Sequence, residues 1–329
     1  MNWNMIGHQW AVNLLRGHIA QDALRHAYLF TGPKGVGRRT LALRFAQTLN
    51  CPTPLEGGSA CRTCNTCKRI ERMQHPDLFI IQSKEDGHSL KVDQIRSLLP
   101  RLSLSAYEAS YKVALLLDFE EATTGAANAL LKTLEEPPSK VILILTAENS
   151  SALLETITSR CEEIRLRPVA LEIVREGLER QWGIPAEQAN LLAHISGGRP
   201  GYALYLHKNP KALEQRGIWL DDLGRLLAAN RVERFFYAAE IIKDAKAFQN
   251  LIQVWVSFWR DVMLHVAGSD TSVVNLDRKS EIDAVAQKIS LTVAQEMVNR
   301  LEKTQYRLSR YVNSRLTAEV LMLDLPHLE

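Results

Sequence analysis

The stretch Gly32-Pro-Lys-Gly-Val-Gly37-Arg38-Arg39-Thr40 has the glycine spacing of a phosphate-binding loop. In such a loop, G-x-x-x-x-G-K-[S/T], backbone N–H groups wrap the phosphates, the lysine reaches the β and γ phosphates, and the hydroxyl holds Mg²⁺. Gly32 and Gly37 occupy the glycine positions, but Arg38 stands at the lysine position and Arg39 at the hydroxyl position. The sequence therefore predicts a loop that keeps its shape and has lost its catalytic groups.

Short apolar runs alternate with helical patterns on both sides of this loop, which is typical of a parallel α/β sheet. The runs are continuously apolar rather than alternating, so we expect strands that are buried on both faces. The predicted strands are residues 27–31, 77–82, 112–118, 141–146 and 163–166.

The pattern changes near Arg167-Pro168, and no convincing strand follows it. Two helical segments and a glycine-rich break come first, and longer amphipathic helices follow. We therefore predict a P-loop domain over residues 1–167, a small helical lid over 168–208, and an all-helical domain over 209–329. A P-loop domain followed by a helical lid is the layout of AAA+ proteins.

Composition excludes several classes of protein. The formal net charge of +3 in 329 residues does not favour a dedicated polyanion binder. No apolar run approaches the roughly 20 residues needed to span a bilayer, and the N-terminus lacks the pattern of a signal peptide. We expect a cytoplasmic protein without a membrane partner, in a compartment where cysteines stay reduced.

The cysteines Cys51, Cys61, Cys64 and Cys67 supply four thiols within 17 residues. Two close C-x-x-C steps with a fourth cysteine nearby indicate one tetrahedral Zn²⁺. Four protein ligands leave no position open for water, so the predicted zinc is structural. An iron–sulfur cluster and metal-free or disulfide-bonded cysteines are the alternatives.

The glycine loop, the segment Ala129–Pro138 (ALLKTLEEPP) and Ser159-Arg160-Cys161 occur in this order, with the cysteine cluster between the first two. Together they resemble the bacterial DNA polymerase III clamp loader, and the replication factor C family is more distantly similar. The resemblance covers roughly residues 1–205. It implies a zinc module at residues 51–67, after the P-loop helix, and a C-terminal oligomeric collar.

Within that family, the chain is more similar to the δ′ subunit than to the catalytic γ/τ subunit. The resemblance places Leu117 where the Mg²⁺-binding aspartate belongs and Asp118 where the glutamate that polarises water belongs. It also places Gly201 at the family's sensor 2 arginine, with Arg199 two residues away.

These substitutions bear on nucleotide chemistry. Losing the lysine, the hydroxyl and a Mg²⁺ carboxylate together should lower turnover by several orders of magnitude. Arginine does not replace the lysine simply, because its planar fork is not a compact point charge. We expect no intrinsic ATP hydrolysis. Inert binding of ATP or ADP stays open, and the candidate residues for it are Gly32, Gly35, Gly37, Arg38, Arg39 and Thr40.

The resemblance also implies a role for Arg160. In clamp loaders, the arginine of this motif reaches the ATP site of a neighbouring subunit and acts as an arginine finger in trans. The simpler interpretation is that Arg160 caps the helix ending at Thr158 or makes a surface ion pair. Cys161 is expected to be a buried small side chain rather than a nucleophile.

The resemblance thus implies a non-hydrolysing δ′ subunit that helps to load a sliding clamp onto primed DNA. Its expected partners are the γ/τ and δ subunits, with the clamp and DNA reached through the complex. Two rivals stay open. A catalytically active loader ATPase would show turnover that depends on its own loop. A zinc-containing DNA-binding AAA+ scaffold would show salt-sensitive DNA affinity of the isolated chain.

Overall fold

The computed structural model describes residues 3–83, 89–269, 271–309 and 313–328, which fall into two compact units. The first unit holds the residues up to 182 together with 198–202, and the second holds 183–197 together with the residues from 203 onward. Each unit has hydrophobic clusters of its own. Within the described ranges, no helix is long and apolar enough to cross a membrane.

The first unit contains a five-stranded parallel sheet in the order β2-β3-β4-β1-β5. The strands are β1 (Ala27–Thr31), β2 (Leu78–Ile81), β3 (Lys112–Leu116), β4 (Val141–Ala147) and β5 (Glu162–Arg165). Every residue of β1, β3 and β4 is buried, as expected for strands covered on both faces. The predicted parallel α/β sheet is therefore confirmed.

Side chains of β1 alternate between two hydrophobic clusters, one on each face of the sheet. Tyr28 and Phe30 pack in the cluster that contains Phe45, whereas Leu29 packs in the cluster that contains Leu130. The helices of this unit are α1 (Gln9–Ala20), α2 (Arg38–Asn50), α3 (Asn65–Glu71), α4 (Val92–Ser103), α5 (Thr124–Glu135), α6 (Glu155–Thr158) and α7 (Leu171–Trp182). A one-turn 3₁₀ helix, Phe119–Glu121, follows β3, and another, Ser150–Ala152, follows β4.

The second unit is built from helices throughout its described residues. They are α8 (Ala186–Ile195), α9 (Pro200–Lys208, which begins in the first unit), α10 (Pro210–Ala228), α11 (Arg231–Ile241), α12 (Ala245–Val266), α13 (Lys279–Ala286), α14 (Leu291–Ser309) and α15 (Ser314–Asp324), with a 3₁₀ turn at Leu276–Arg278. Trp255 and Trp259 of α12 are fully buried in its core. The predicted fold class, an AAA+ α/β domain followed by helices alone, is confirmed.

A buried arginine joins two helix ends in this unit. Arg234 of α11 is only 6% exposed, and its guanidinium donates to backbone carbonyls of Leu226, Leu227, Met322, Leu325 and Pro326. These carbonyls lie at the C-terminal ends of α10 and α15, where helices leave acceptors without an intrahelical partner. One side chain therefore caps both helices.

The predicted division into three domains at residues 167 and 208 stays a prediction. The compact units number two, and residues 168–208 contribute to both of them.

Candidate functional site

The glycine loop runs from the end of β1 to the start of α2, at the carboxyl edge of the sheet, where open α/β folds place their ligand sites. Gly35 and Gly37 have φ angles of +85° and +120°, which residues with side chains rarely adopt. Gly37 is the residue immediately before α2. The glycines of the motif therefore stand at positions where the backbone conformation favours glycine.

Neighbouring backbone approaches this loop closely. A Cβ atom on Gly32 would lie 2.2 Å from the carbonyl oxygen of Leu166, just after β5. A Cβ atom on Gly35 would lie 2.8 Å from the backbone nitrogen of Tyr202 in α9. The Gly35 carbonyl also accepts a hydrogen bond of 2.8 Å from the N–H of Gly201. The chain after β5 and the start of α9 thus pack closely against the loop.

A histidine supports the loop from its other side. His8, before α1, is buried, and its Nε2 lies 3.0 Å from the carbonyl oxygen of Val36. Burial lowers the pKa of His8, and the bond to Val36 offsets only part of that effect. Since a carbonyl oxygen accepts, the neutral ring carries its proton on Nε2. The sequence did not predict this role of His8, because the contact joins residues that lie 28 positions apart in the chain.

Arg38, at the lysine position of the motif, is turned toward acidic residues of its own chain. Its side chain is 7% exposed, and one terminal nitrogen donates to Asp118 Oδ1 at 2.9 Å. The other lies 3.8 Å from Glu120 Oε1. Both carboxylates follow β3, where a hydrolysing P-loop protein holds Mg²⁺. The guanidinium therefore places a positive charge against both carboxylates that follow β3.

The residue at the position of the Mg²⁺-binding aspartate is a core side chain. Leu117, aligned with the Mg²⁺-binding aspartate, is buried in the core and has no ligand atom in its side chain. Asp118 has a left-handed φ of +48°, and its N–H donates to the hydroxyl of Thr146. Glu120 was missed, although the acidic run from Asp118 to Glu121 was a signal for it.

Glu120 is held between Arg38 and the chain after β4. Its Oε1 accepts a hydrogen bond of 3.0 Å from the N–H of Glu148. Burial raises the pKa of Glu120, and neither this bond nor the nearby Arg38 fully offsets the effect. Glu120 is thus a partly desolvated acid that depends on Arg38 for compensation.

The remaining loop candidates lie elsewhere. Arg39 and Thr40 are exposed on the first turn of α2, and Arg39 donates to the sulfur of Met73. The guanidinium of Arg199 lies 4.5 Å from the ring centre of Tyr202. Burial lowers the pKa of Arg199, against the raising effects of Tyr202 and Glu148. Arg38 is therefore the one loop cation that the described residues bring to the acidic segment.

Arg160, the predicted arginine finger, lies just after α6 with its side chain 35% exposed. One terminal nitrogen donates to the carbonyl oxygen of Thr156 at 2.9 Å and to the hydroxyl of Ser159 at 3.4 Å. The other donates to Glu135 Oε1 at 2.8 Å. The isolated chain thus shows the contacts of the simpler interpretation, a helix cap and an ion pair, at a partly exposed position. Burial raises the pKa of the neighbouring Cys161 to about 12, so that thiol is not an activated nucleophile.

The four clustered cysteines converge on one point. All four sulfur atoms lie within 4.8 Å of one another, and each thiol is free of disulfide bonds. A tetrahedral zinc site with Zn–S bonds of about 2.3 Å separates its sulfurs by roughly 3.8 Å, so a small contraction would complete the shell. The arrangement fits a metal held by Cys51, Cys61, Cys64 and Cys67.

Hydrogen bonds to sulfur support this arrangement. The N–H of Cys61 donates to the sulfur of Cys51, that of Cys64 to Cys61, and that of Cys67 to Cys64, at 3.3–3.4 Å. The Thr53 hydroxyl and the N–H of Cys64 lower the pKa of Cys61 to about 5, which favours its thiolate. Burial raises the pKa of Cys67. Donors aimed at sulfur stabilise the anionic form that metals bind.

The cysteine cluster is anchored to the helix that begins at the glycine loop. Gln47 of α2 donates to the Cys67 carbonyl at 2.8 Å and to Glu71 of α3 at 2.9 Å. Arg44 of α2 also pairs with Glu71, with one contact of 3.1 Å. These bonds fix α3, which carries the last cysteine, against α2.

A parallel sheet with a glycine loop between β1 and α2, followed by helices alone, defines a P-loop protein of the AAA+ class. The profile of the family described as "DNA polymerase III, delta subunit" matches residues 7–170. A "DNA polymerase III subunit delta'" of Bacillus subtilis is 31% identical over 320 residues, covering 95% of this chain and 94% of that protein. The chain therefore belongs to the DNA polymerase III clamp-loader family, in its delta' (δ′) group.

Two further relatives mark the extent of the similarity. A "DNA polymerase III subunit delta'" of Pseudomonas aeruginosa is 37% identical over 215 residues, covering 64% of this chain and 63% of that protein. A "DNA polymerase III subunit tau" of Salmonella typhimurium is 32% identical over 176 residues, covering 54% of this chain and 27% of that protein.

Proposed function

We propose that this chain is a non-hydrolysing δ′ subunit of a DNA polymerase III clamp loader, which helps to place a sliding clamp on primed DNA. In this role it supplies Arg160 to the ATP site of a neighbouring ATPase subunit. The γ/τ and δ subunits are its direct partners, and it meets the clamp and DNA through the complex. Such a role places it in the cytoplasm.

The internal neutralisation of Arg38 carries the non-hydrolysing part of the proposal. Hydrolysis needs Mg²⁺ bridging the β and γ phosphates, and an acidic residue after β3 to hold that metal. Here Asp118 and Glu120 already face the Arg38 guanidinium at 2.9 and 3.8 Å. A metal ion bound by these carboxylates would have to displace the buried Arg38 guanidinium, because the two cations would repel each other. This observation disfavours the rival in which the chain is an active ATPase.

The position of Arg160 supports the finger role. Its side chain is partly exposed, is held at the C-terminal end of α5 and by α6, and has donors beyond the three hydrogen bonds made within the chain. An arginine finger supplied in trans is worth about 10³–10⁵ in turnover. A chain without hydrolysis of its own could therefore control the hydrolysis of its neighbour.

The cysteine cluster supports one structural zinc ion. Cys51, Cys61, Cys64 and Cys67 would hold it, and the metal would link the residues after α2 to α3. Four protein ligands leave no open position for a reacting molecule. The metal would therefore contribute folding free energy to the module and no catalysis.

The second unit supports assembly with other subunits. Val232 and Phe236 of α11 are 64% and 71% exposed, and Leu316 of α15 is 58% exposed. Exposed apolar side chains on helices that pack together are typical of protein–protein interfaces. We assign residues 209–329 to an oligomeric collar and 168–208 to the AAA+ lid.

The test is DNA- and clamp-stimulated ATP hydrolysis by the reconstituted loader. Arg160→Ala should abolish most of the turnover that depends on this chain. Gly37→Ala, which strains the loop at its φ of +120°, should leave turnover nearly unchanged. If Gly37→Ala abolishes turnover and Arg160→Ala does not, this chain is itself a catalytic subunit and the proposal is wrong.

A further inference from the structure

Arg160 is held by its own chain through both terminal nitrogens. One nitrogen donates to the carbonyl of Thr156 and the hydroxyl of Ser159, and the other donates to Glu135 Oε1 at 2.8 Å. Among these three acceptors, only Glu135 carries a negative charge. It is therefore the acceptor that competes most directly with a phosphate group for the guanidinium.

The contact with Arg160 stabilises the Glu135 carboxylate. It is the last residue of α5, where the helix dipole presents partial negative charge and an unpaired carboxylate is unfavourable. Glu136 follows at once and adds a second carboxylate. Arg160 compensates Glu135 in the isolated chain, and among the described residues no other cation forms an ion pair with Glu135.

We propose that Glu135 is a latch on the arginine finger. In the free subunit it holds the Arg160 guanidinium against its own chain and partly neutralises it. When the neighbour's nucleotide is in place, phosphate oxygens outcompete the carboxylate, and Arg160 leaves Glu135 to contact them. Glu135 is a positioning residue in this scheme, since it acts only through Arg160. The inference rests on the finger role proposed above.

The strength of the latch follows from its exposure. The Arg160 side chain is 35% exposed and that of Glu135 is 52% exposed, so the pair is screened by water. Ion pairs of this kind shift an equilibrium by up to about fivefold. A latch of this strength delays engagement of the finger without preventing it, because a phosphate group carries more charge than a single carboxylate.

The experiment is a double-mutant cycle in the reconstituted loader, with kcat/KM for ATP as the measured quantity. Glu135→Gln keeps the side-chain shape and removes the charge, so it should raise kcat/KM by up to about fivefold. The same substitution on an Arg160→Ala background should change nothing. Glu136→Gln removes the adjacent carboxylate and is the matched control, expected to leave kcat/KM unchanged.

The outcomes separate the latch from the finger itself. If Arg160→Ala leaves turnover intact, the finger role fails, and the latch fails with it. If Arg160→Ala abolishes turnover but Glu135→Gln behaves like Glu136→Gln, the finger stands and the latch is refuted. A fall in kcat/KM with Glu135→Gln, present only when Arg160 is intact, would show that the carboxylate aims the finger outward instead of retracting it.

Discussion

Replacing Arg38 by methionine would remove the cation from the glycine loop and leave two carboxylates facing each other. Methionine is flexible and fills most of the space of the arginine stem, so the main loss is electrostatic. Asp118 and Glu120 would lose their shared partner, at 2.9 and 3.8 Å in the present structure. The substitution therefore measures what internal neutralisation contributes to folding.

The exposures of the three side chains set the magnitude. Removing one partner of a fully buried ion pair costs about 3–5 kcal/mol, whereas exposed pairs contribute about 0–1 kcal/mol. Arg38 is 7% exposed, but Asp118 is 43% and Glu120 is 20% exposed. The burial of this three-residue cluster lies between the two limits. We therefore expect Arg38→Met to lower the free energy of unfolding of the first unit by about 2 kcal/mol at pH 7.

The loss should depend on pH. Burial already raises the pKa of Glu120, and removing Arg38 would raise it further. An acid whose pKa is raised by folding stabilises the fold below its unfolded pKa, and this contribution is lost as the pH rises through the folded pKa. The deficit of Arg38→Met should therefore be largest at pH 7 and smaller near pH 4, where a protonated Glu120 needs no counter-ion.

Native-state hydrogen exchange of amides in β1 and β4 is the suitable assay, because the two units need not unfold together. Arg39→Met removes an exposed arginine one residue along and should stay within about 0.5 kcal/mol of the parent chain. An equal loss at pH 4 and pH 7 would refute the reasoning, since it would show that Arg38 contributes through packing and not through charge.

Three further predictions concern other parts of the molecule. Metal analysis of non-oxidised protein should find one zinc per chain, and Cys67→Ser should lower that content and speed hydrogen exchange in α3. Burial lowers the pKa of His75, against the raising effect of Glu108, so its neutral form stabilises the fold above about pH 6.5 and that contribution is lost as the pH falls. His75→Gln should make the free energy of unfolding fall less between pH 7 and pH 5, as measured by denaturant unfolding at each pH. Arg234→Met should cost the second unit at least about 2 kcal/mol, measured by exchange in α10 and α15, because several buried carbonyls lose their donor.

Each of these has a control and a contrary outcome. Cys161→Ser should retain full zinc content, and a chain without zinc would overturn the metal assignment. If the free energy of unfolding of His75→Gln depends on pH as in the parent chain, His75 does not contribute to that dependence. Arg231→Met changes an exposed arginine of the same helix, and equal losses for Arg231→Met and Arg234→Met would show that capping is unimportant.

The sequence predicted the sheet well because its strands are buried on both faces and read as continuous apolar runs. Strand ends were predicted less accurately than the strands themselves. The third run was predicted to reach Asp118, but β3 ends at Leu116, before the backbone becomes left-handed at Asp118. Helix α1 was not predicted, because it buries only a narrow stripe, Ala11, Val12 and Leu15. Local patterns therefore identify elements with broad buried faces best.

The same reasoning explains the outcome at the candidate site. The glycines and cysteines were found because their spacing is short and their chemistry is specific. The acidic partners of Arg38 and Arg160 were not predicted, because they lie far away in sequence, 80 residues for Arg38 and Asp118 and 25 for Arg160 and Glu135. Such pairs depend on how strands and helices pack, which residue spacing does not encode.

The contact of Arg38 with Asp118 and Glu120 has a consequence for how this chain can evolve. On the pattern of a hydrolysing P-loop protein, catalysis would require a lysine at 38, a hydroxyl at 39 and an acid at 117. Lysine at 38 would keep the charge but lose the forked guanidinium that reaches both Asp118 and Glu120. A lone acid at 117 would enter a packed core. The changes at 38 and 117 would therefore each disturb existing contacts if made alone. The salt bridge and the packed core thus constrain the order in which such substitutions can be accepted.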